Sequence, residues 1–210
     1  MEEESNKIRL PKATDIRAED LQASAAAPES TLPRARPKLA QTLRVINAMV
    51  SDGVIGRYAI GGAVGATFYL EPLPTMDVDV FVAIYPEVGG LITSSPIYEY
   101  LDKRGYQPVG EAVKIEDWLV QFLAPTGPLV EEAIAQAREV AVAEDLLTFV
   151  LTAEHLVAIA LQTNRSKDMV RILQFIEAGK FDADLLQQIL ERHDLLGRWT
   201  DFKQRFLQQQ

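Results

Sequence analysis

The chain has 210 residues, of which 48% are hydrophobic, and its 30 acidic and 21 basic residues give a formal net charge of −9. This length allows one domain with a sizeable core, and the hydrophobic fraction is ordinary for a soluble globular protein. The acidic balance opposes long-range attraction to nucleic acid or to an anionic membrane, because phosphate binding depends on clustered Lys and Arg. It still permits a local basic patch that grips one RNA end or one triphosphate.

Targeting and redox signals predict a cytoplasmic protein. The acidic start, Met1–Ser5, lacks the positive region of a secretory signal, and no apolar run approaches the ~18 residues that span a bilayer. Cysteine is absent, which excludes disulfides and fits a reducing compartment, and with only two histidines the usual zinc ligands are missing. We expect no membrane partner, and the sequence leaves the oligomeric state open.

Residues 1–36 differ in composition from the rest of the chain. They are charged, rich in Ala and Ser, and interrupted by Pro11, Pro28 and Pro33. This composition predicts an extended or disordered N-terminal arm, with one helical turn near residues 18–26, or an arm that wraps the domain or a neighbouring subunit.

Helices and strands alternate in the prediction for residues 37–151. A helix from Leu39 is expected to turn Leu43, Ile46 and Val50 toward the core and to end at Gly53. The elements predicted after it are a strand at 57–60, a helix at 62–70, a strand at 77–84, a helix at 94–104, a β-hairpin at 111–114 and 118–123, a helix at 127–138, and strands at 140–142 and 147–151. This order predicts an α/β (α+β) fold with a small mixed sheet flanked by helices.

Residues 152–210 are predicted to form a helical region packed on that domain. Thr152 is expected to cap a helix at 153–162, and Asn164 to cap a helix at 165–178. Asp182 or Asp184 is expected to cap the next helix, and the last helix is predicted at 195–207.

A glycine pair and an Asp-x-Asp motif are the most informative features of the chain. Successive strand side chains alternate faces, so Asp77 and Asp79 are expected on one side of the strand while Val78 enters the core. Two carboxylates about 7 Å apart along a strand suit a shared cation such as Mg²⁺. Gly61 and Gly62 permit backbone N–H groups to approach a phosphate at a helix N-terminus. Together these features predict a site for a metal-bound nucleoside triphosphate.

These motifs resemble the signature of the polymerase-β-type nucleotidyltransferase superfamily, and within it the minimal nucleotidyltransferases of the abortive-infection, AbiEii-type toxin group. The resemblance covers roughly residues 39–175 and includes a strand that carries a third carboxylate in many relatives, and a helical region with an Arg-x-Lys-Asp motif. The matching stretches are Gly61–Ala63, Pro74–Asp79, Val120–Pro125, Glu154–Ala158 and Asn164–Asp168.

The resemblance implies Mg²⁺- or Mn²⁺-dependent transfer of a nucleoside monophosphate from a nucleoside triphosphate to a hydroxyl on an RNA end, a protein or a small acceptor. It implies that Asp77 and Asp79 are catalytic metal ligands and that Lys167 is a catalytic cation, oriented by Asp168. The residues that it assigns to nucleotide binding are Gly61, Gly62, Ala63 and Arg165.

Two departures from the family pattern leave the activity open. Gln121 stands where relatives often have the third carboxylate, and Ala63 stands where many have Ser. Three explanations of the missing carboxylate are open: Glu116 or Asp117 reaches into the site, the site works with one metal ion, or the site binds nucleotide without catalysis. The last case is a catalytically degenerate binding or regulatory module, for example in a toxin–antitoxin system. The histidines are expected outside the chemistry, with His155 at the surface or half-buried.

Overall fold

A mixed β-sheet with helices on both faces organises the chain. The structure is a computed structural model that describes residues 37–72, 75–83 and 95–207. The predicted arm at 1–36 and residue 84 of the predicted second strand lie outside the described residues.

The helices are α1 (Pro37–Ser51), α2 (Gly62–Ala66), α3 (Ser95–Asp102), α4 (Pro128–Ala135), α5 (Ala153–Thr163), α6 (Ser166–Ala178), α7 (Ala183–Arg192) and α8 (Leu196–Phe206). The strands are β1 (Tyr58–Ile60), β2 (Asp77–Val82), β3 (Pro108–Val109), β4 (Ala112–Ile115), β5 (Trp118–Leu123), β6 (Arg138–Ala143) and β7 (Leu146–Val150). Every helix of the described residues is too short or too polar to cross a membrane.

The seven strands form one sheet in the order β3-β4-β5-β2-β1-β7-β6. At its centre β2 runs antiparallel to β1 and parallel to β5, and β1 runs parallel to β7. Tyr58, the first residue of β1, pairs with Val82 at the end of β2, and Ile60, the last residue of β1, pairs with Val80. The bend after β1 therefore lies at the same edge of the sheet as the first residues of β2. The predicted α/β class with a mixed sheet flanked by helices is confirmed.

Each face of the sheet covers its own hydrophobic core. On one face Val78 and Val80 pack with α1, whose Leu43 and Ile46 are buried as predicted. The prediction for Val50 was wrong: that side chain is 38% exposed, whereas Met49 is fully buried. On the other face a second cluster joins the sheet to α4–α8. Because side chains alternate along β2, its even-numbered residues lie in the first core and its odd-numbered residues lie on the face toward α5 and α6.

Two helix caps are confirmed by their hydrogen bonds, and one was wrong. Thr152 begins α5, because its Oγ1 atom accepts from the N–H of His155 at 3.3 Å. Asp182, rather than Asp184, caps α7 by accepting two backbone N–H groups. Asn164 does not cap α6: it ends α5 in the left-handed conformation, with φ 55°, and Arg165 takes the N-cap position of α6. Asn tolerates that conformation better than most residues, so it ends one helix just before the next begins.

Other boundaries differ from the prediction. Helix α2 ends at Ala66, and residues 67–70 continue as turns and a bend. Strand β6 begins at Arg138, where the prediction placed the end of a helix, and the two-residue β3 was not predicted. Strand β3 is an edge strand that begins with Pro108, and edge positions tolerate proline because no neighbour requires its missing N–H.

Candidate nucleotide site

The acid pair lies at the start of β2, beside the glycine bend. Asp77 and Asp79 project from one face of the strand, because Val78 and Val80 are buried in the core behind it. The N–H of Gly61 donates to the backbone carbonyl of Asp79 at 2.9 Å. This hydrogen bond holds the bend against the strand, so the two predicted motifs form one local structure.

The two glycines of the bend are required for different reasons. At Gly61 a Cβ atom would overlap the Phe81 ring and come within 3.1 Å of the Leu151 side chain, so this glycine permits close packing. Gly62 has φ +57°, and a Cβ there would overlap the Asp79 carboxylate. Gly62 and Ala63 open α2, where the first N–H groups of a helix have no intrahelical acceptor. The bend therefore presents backbone donors directly beside a carboxylate.

Two adjoining cavities share walls at this edge of the sheet. The first, which we call the acid cavity, has a volume of about 140 Å³ and contains Asp77, Asp79 and Lys167 in its lining. The second, which we call the apolar cavity, has a volume of about 270 Å³ and lies between the sheet and helices α5 and α6. Its apolar walls include Phe81, Leu123, Leu151, Leu156 and Ile159. The residues common to both linings are Asp79, Gln121, Arg165 and Arg171.

Three cations from the N-cap and first two turns of α6 share the cavity of the acid pair. Arg165, Lys167 and Arg171 all line the acid cavity. Burial raises the pKa of Asp79, and the charge of Asp77 acts in the same direction, while the three cations act against it. The Asp79 carboxylate is thus only partly compensated by its protein surroundings, and a bound cation at the pair would favour its charged form.

Asp168 holds the arginines rather than the lysine. The prediction that it orients Lys167 was wrong: the Asp168 carboxylate accepts from Arg165 Nε at 2.6 Å, from Thr163 Oγ1 at 2.7 Å and from Arg171 Nη1 at 3.3 Å. Residues three apart on a helix are neighbours, whereas adjacent residues point about 100° apart. Burial alone raises the pKa of Asp168, but the hydrogen bonds from Arg165 and Thr163 and both arginine charges hold it below its usual value. A buried carboxylate at the wall of the site is therefore kept ionised.

Arg171 was not predicted from the sequence as a residue of this site. It lines both cavities, and its side chain is only 12% exposed. The Arg-x-Lys-Asp motif ends at Asp168, three residues earlier, so the resemblance did not include Arg171. The three-residue spacing of Arg165, Asp168 and Arg171 on one helix face was the signal that would have indicated it.

Among the described residues, no third carboxylate joins the acid pair. Gln121 lies level with Asp79 on the neighbouring parallel strand β5, and its Nε2 atom donates to Glu111 Oε2 at 3.4 Å. Glu116 accepts a hydrogen bond from Tyr106, and neither Glu116 nor Asp117 lines either cavity. In the same part of the chain, no three His, Cys, Asp or Glu side chains are grouped to hold a metal. The donor set suits one Mg²⁺, which proteins commonly bind through one or two carboxylates plus substrate phosphates.

Neither histidine lines either cavity, and the expectation that His155 is at the surface or half-buried was wrong. His155 is fully buried, with Nδ1 at 2.8 Å from Thr152 Oγ1 and Nε2 at 3.4 Å from Glu132 Oε1. Glu132 also contacts His193 Nε2 at 2.8 Å and receives two hydrogen bonds from Arg192. This polar network joins α4, α5 and α7 and so supports the helices behind the site.

The sheet, its flanking helices and the position of the glycine bend define a nucleotidyltransferase-like fold. A similar solved structure is an antigenic nucleotidyltransferase-like protein from Paracoccidioides brasiliensis, with a TM-score of 0.52 and 17% sequence identity over 77% of this chain and 91% of that protein. The solution structure of the antibiotic-resistance factor ANT(2'')-Ia is also similar, with a TM-score of 0.47 and 11% identity over 80% of this chain and 96% of the other. No protein-family model matches the chain, and no curated protein matches it by sequence.

Proposed function

We propose that the chain binds a Mg²⁺- or Mn²⁺-bound nucleoside triphosphate in the acid cavity and transfers its nucleoside monophosphate to an acceptor hydroxyl. The observation that carries the proposal is the contact of the Gly62 bend with the Asp79 carboxylate, with Asp77 on the same strand face and the α6 cations opposite. This arrangement brings backbone donors, carboxylates and cations to one small cavity, which is what a metal-bound polyphosphate requires.

Each residue has a distinct role in this proposal. Asp77 and Asp79 hold the cation, which when bound neutralises phosphate charge and favours ionisation of the attacking hydroxyl. The N–H groups of Gly62 and Ala63 donate to phosphate oxygens, whereas the N–H of Gly61 is already used by the Asp79 carbonyl. Gly61 therefore contributes by its small size rather than by its N–H. Lys167, an exposed residue that lines the acid cavity, supplies positive charge to the polyphosphate, and Arg165 adds a second charge.

The reaction exchanges a phosphoanhydride bond of the triphosphate for a phosphoester bond to the acceptor. The acceptor oxygen attacks the α-phosphorus, the bond from the α-phosphorus to the bridging oxygen breaks, pyrophosphate leaves, and the hydroxyl proton is released. In this proposal the α-phosphate binds at the junction of the two cavities, and the support for that position is that Asp79 and Gln121 line both of them. The apolar cavity then receives the nucleoside or the acceptor. The net charge of −9 favours a small molecule or a protein over a long RNA as acceptor.

Gln121 favours a second candidate function, in which the site binds nucleotide without transferring it. An amide level with Asp79 is a poor Mg²⁺ ligand and cannot act as a general base. In this case the chain is a nucleotide-binding or regulatory module, for example in a toxin–antitoxin pair. The two candidates share the binding step and differ only in the transfer.

Transfer and binding need separate measurements. The full chain is incubated with each of the four nucleoside triphosphates labelled at the α-phosphate, with Mg²⁺ or Mn²⁺, and with total RNA or lysate as acceptor, while equilibrium binding is measured in parallel. We expect label transfer that is lost when Asp77→Ala and Asp79→Ala are combined. The control variant combines Glu139→Ala with Glu144→Ala, two exposed acids on and beside the edge strand β6.

Each outcome decides between the candidates. Binding without transfer selects the regulatory module, and absence of both overturns the two candidates together. Transfer that survives the loss of both aspartates would show that the acid pair is not the metal site.

A further inference from the structure

Arg171 has a hydrogen-bonding capacity that the protein does not use. Its Nε atom is the single buried side-chain nitrogen or oxygen without a hydrogen-bond partner among the residues that the structure describes. Within those residues the guanidinium has one hydrogen bond, from Nη1 to Asp168 at 3.3 Å. A buried charged donor that lacks a partner is costly to the folded state.

Asp168 does not account for the presence of Arg171. Its carboxylate already accepts from Thr163 at 2.7 Å and from Arg165 at 2.6 Å, and both of these hydrogen bonds are shorter than that from Arg171. Removal of one partner of a buried ion pair is destabilising when the other charge is left unpaired, but Asp168 keeps its hydrogen bonds from Thr163 and Arg165 when Arg171 is replaced. If position 171 needed a side chain only for packing, Met or Leu would therefore fill it equally well.

The location of Arg171 indicates what its free donor is for. The side chain lines both the acid cavity and the apolar cavity, and its positive charge acts on Asp79. The planar guanidinium presents its N–H groups in a fixed arrangement that matches the oxygens of a phosphate. A group bound by Arg171 lies where the two cavities meet.

We infer that Arg171 is a nucleotide-binding residue whose guanidinium donates to a phosphate oxygen at the junction of the acid and apolar cavities. The inference rests on the proposed function, because it takes the ligand to be a nucleoside triphosphate. Asp168 is then a positioning residue that holds the guanidinium in place. In the free state the guanidinium has more N–H donors than the described residues offer acceptors, and the ligand supplies a further acceptor.

The inference makes two separable predictions for Arg171→Met, which keeps much of the volume of the side chain and removes its charge. Affinity for Mg²⁺-bound ATP, GTP, CTP or UTP is expected to fall about tenfold to a hundredfold, as for the loss of a charge-assisted hydrogen bond. The melting temperature of the ligand-free protein is expected to be unchanged or higher. Arg171→Lys, which keeps a charge but has no equivalent fork of donors, is expected to give an intermediate affinity.

The experiment measures binding by calorimetry and thermal unfolding of the full chain with and without nucleotide, with Arg44→Met as the control. Arg44 also pairs with an aspartate but lies on α1, at the opposite face of the sheet, so its loss is expected to leave binding unchanged. Inorganic triphosphate serves as a further probe, and its affinity is expected to fall with that of the nucleotides.

Three results would overturn the inference. If the wild type binds no nucleoside triphosphate, the proposed function fails and the inference fails with it. If the wild type binds nucleotide and Arg171→Met binds it equally well, the phosphate contact is refuted while the proposed function stands. The same conclusion follows if Arg171→Met loses affinity for nucleotides but keeps its affinity for inorganic triphosphate. If Arg171→Met lowers the melting temperature of the free protein, Arg171 belongs to the fold instead.

Discussion

The backbone of Gly62 lies against the carboxylate of Asp79, so closely that a Cβ atom at Gly62 would overlap Asp79 Oδ2. Two residues separated by a helix and a loop thus depend on each other sterically. Gly62 also has φ +57°, a conformation that L side chains seldom adopt. The contact joins the glycine bend to the acid pair.

Replacing Gly62 by Ala separates these two effects when it is compared with a second glycine. Gly179 has φ +58°, and a Cβ atom there would meet nothing within 4 Å, so Gly179→Ala has the backbone cost, about 1–2 kcal/mol, without a steric overlap. We expect Gly62→Ala to cost more stability than Gly179→Ala and, in contrast to it, to abolish nucleotide binding because Asp79 is displaced. Chemical denaturation and calorimetric titration measure the two effects. Equal effects of both substitutions would show that the contact with Asp79 has no functional role.

A carboxylate at position 121 tests the consequence of the missing third acid. Gln121 lies level with Asp79, and Asp is preferred to Glu here because its shorter side chain stays clear of Glu111. We expect Gln121→Asp to bind Mn²⁺ at least tenfold more tightly, because a third carboxylate joins the pair, and to raise transfer activity. The same added charge raises the pKa of Asp79 further in the metal-free protein.

Metal affinity is measured by calorimetry with Mn²⁺, and transfer with α-labelled nucleotides. Gln107→Asp is the matched control, because Gln107 is exposed and contacts Asp102 outside the site. Unchanged Mn²⁺ affinity in Gln121→Asp would mean that position 121 does not face the metal.

The parts of the site that were predicted correctly are those fixed by local geometry. Strand alternation alone places Asp77 and Asp79 on one face of β2, because buried Val78 and Val80 must occupy the other. Likewise the Thr152 cap depends only on a side chain three residues from its donor.

The parts that were missed depend on how distant elements pack. Helical spacing alone does not distinguish Val50 from Met49, since the docking angle of α1 decides which of them is buried. The position of Arg171 depends on the docking of α6 against the sheet, which brings it into the same cavity lining as Asp79. Gly61 and Gly62 are adjacent in sequence, yet only the sheet pairing shows that one permits packing and the other contacts the acid.

Asp168→Asn tests whether this carboxylate holds the cations of α6 in place. Asp168 is 1% exposed and accepts from Thr163, Arg165 and Arg171, so an isosteric amide leaves two arginines without their shared anion. We expect a loss of about 3 kcal/mol in the free energy of unfolding and weaker nucleotide binding. Denaturant unfolding measures the first effect and calorimetry the second. A stable variant with normal affinity would contradict a positioning role.

The pH dependence of stability tests the buried network around His155. Burial lowers the pKa of His155 below its ordinary value of 6.5, although its hydrogen bond with Glu132 acts in the opposite direction. The folded state therefore favours neutral His155, whereas the unfolded chain takes up a proton near pH 6.5. Its contribution to stability is present above that pH and is lost as the pH falls toward the lower pKa of the folded state.

Glu132 adds a second acid-sensitive contribution at lower pH. Burial alone raises its pKa, but hydrogen bonds from His193, Arg192 and His155 bring it below the ordinary value of 4.5, so its contribution is lost as the pH falls below that value. We expect the melting temperature of the wild type to fall between pH 7 and pH 5, and His155→Gln to flatten this slope because the titrating group is gone. His193→Gln is the comparison, since His193 binds the same carboxylate from the C-cap of α7. An unchanged slope in His155→Gln would assign the acid sensitivity to groups other than His155.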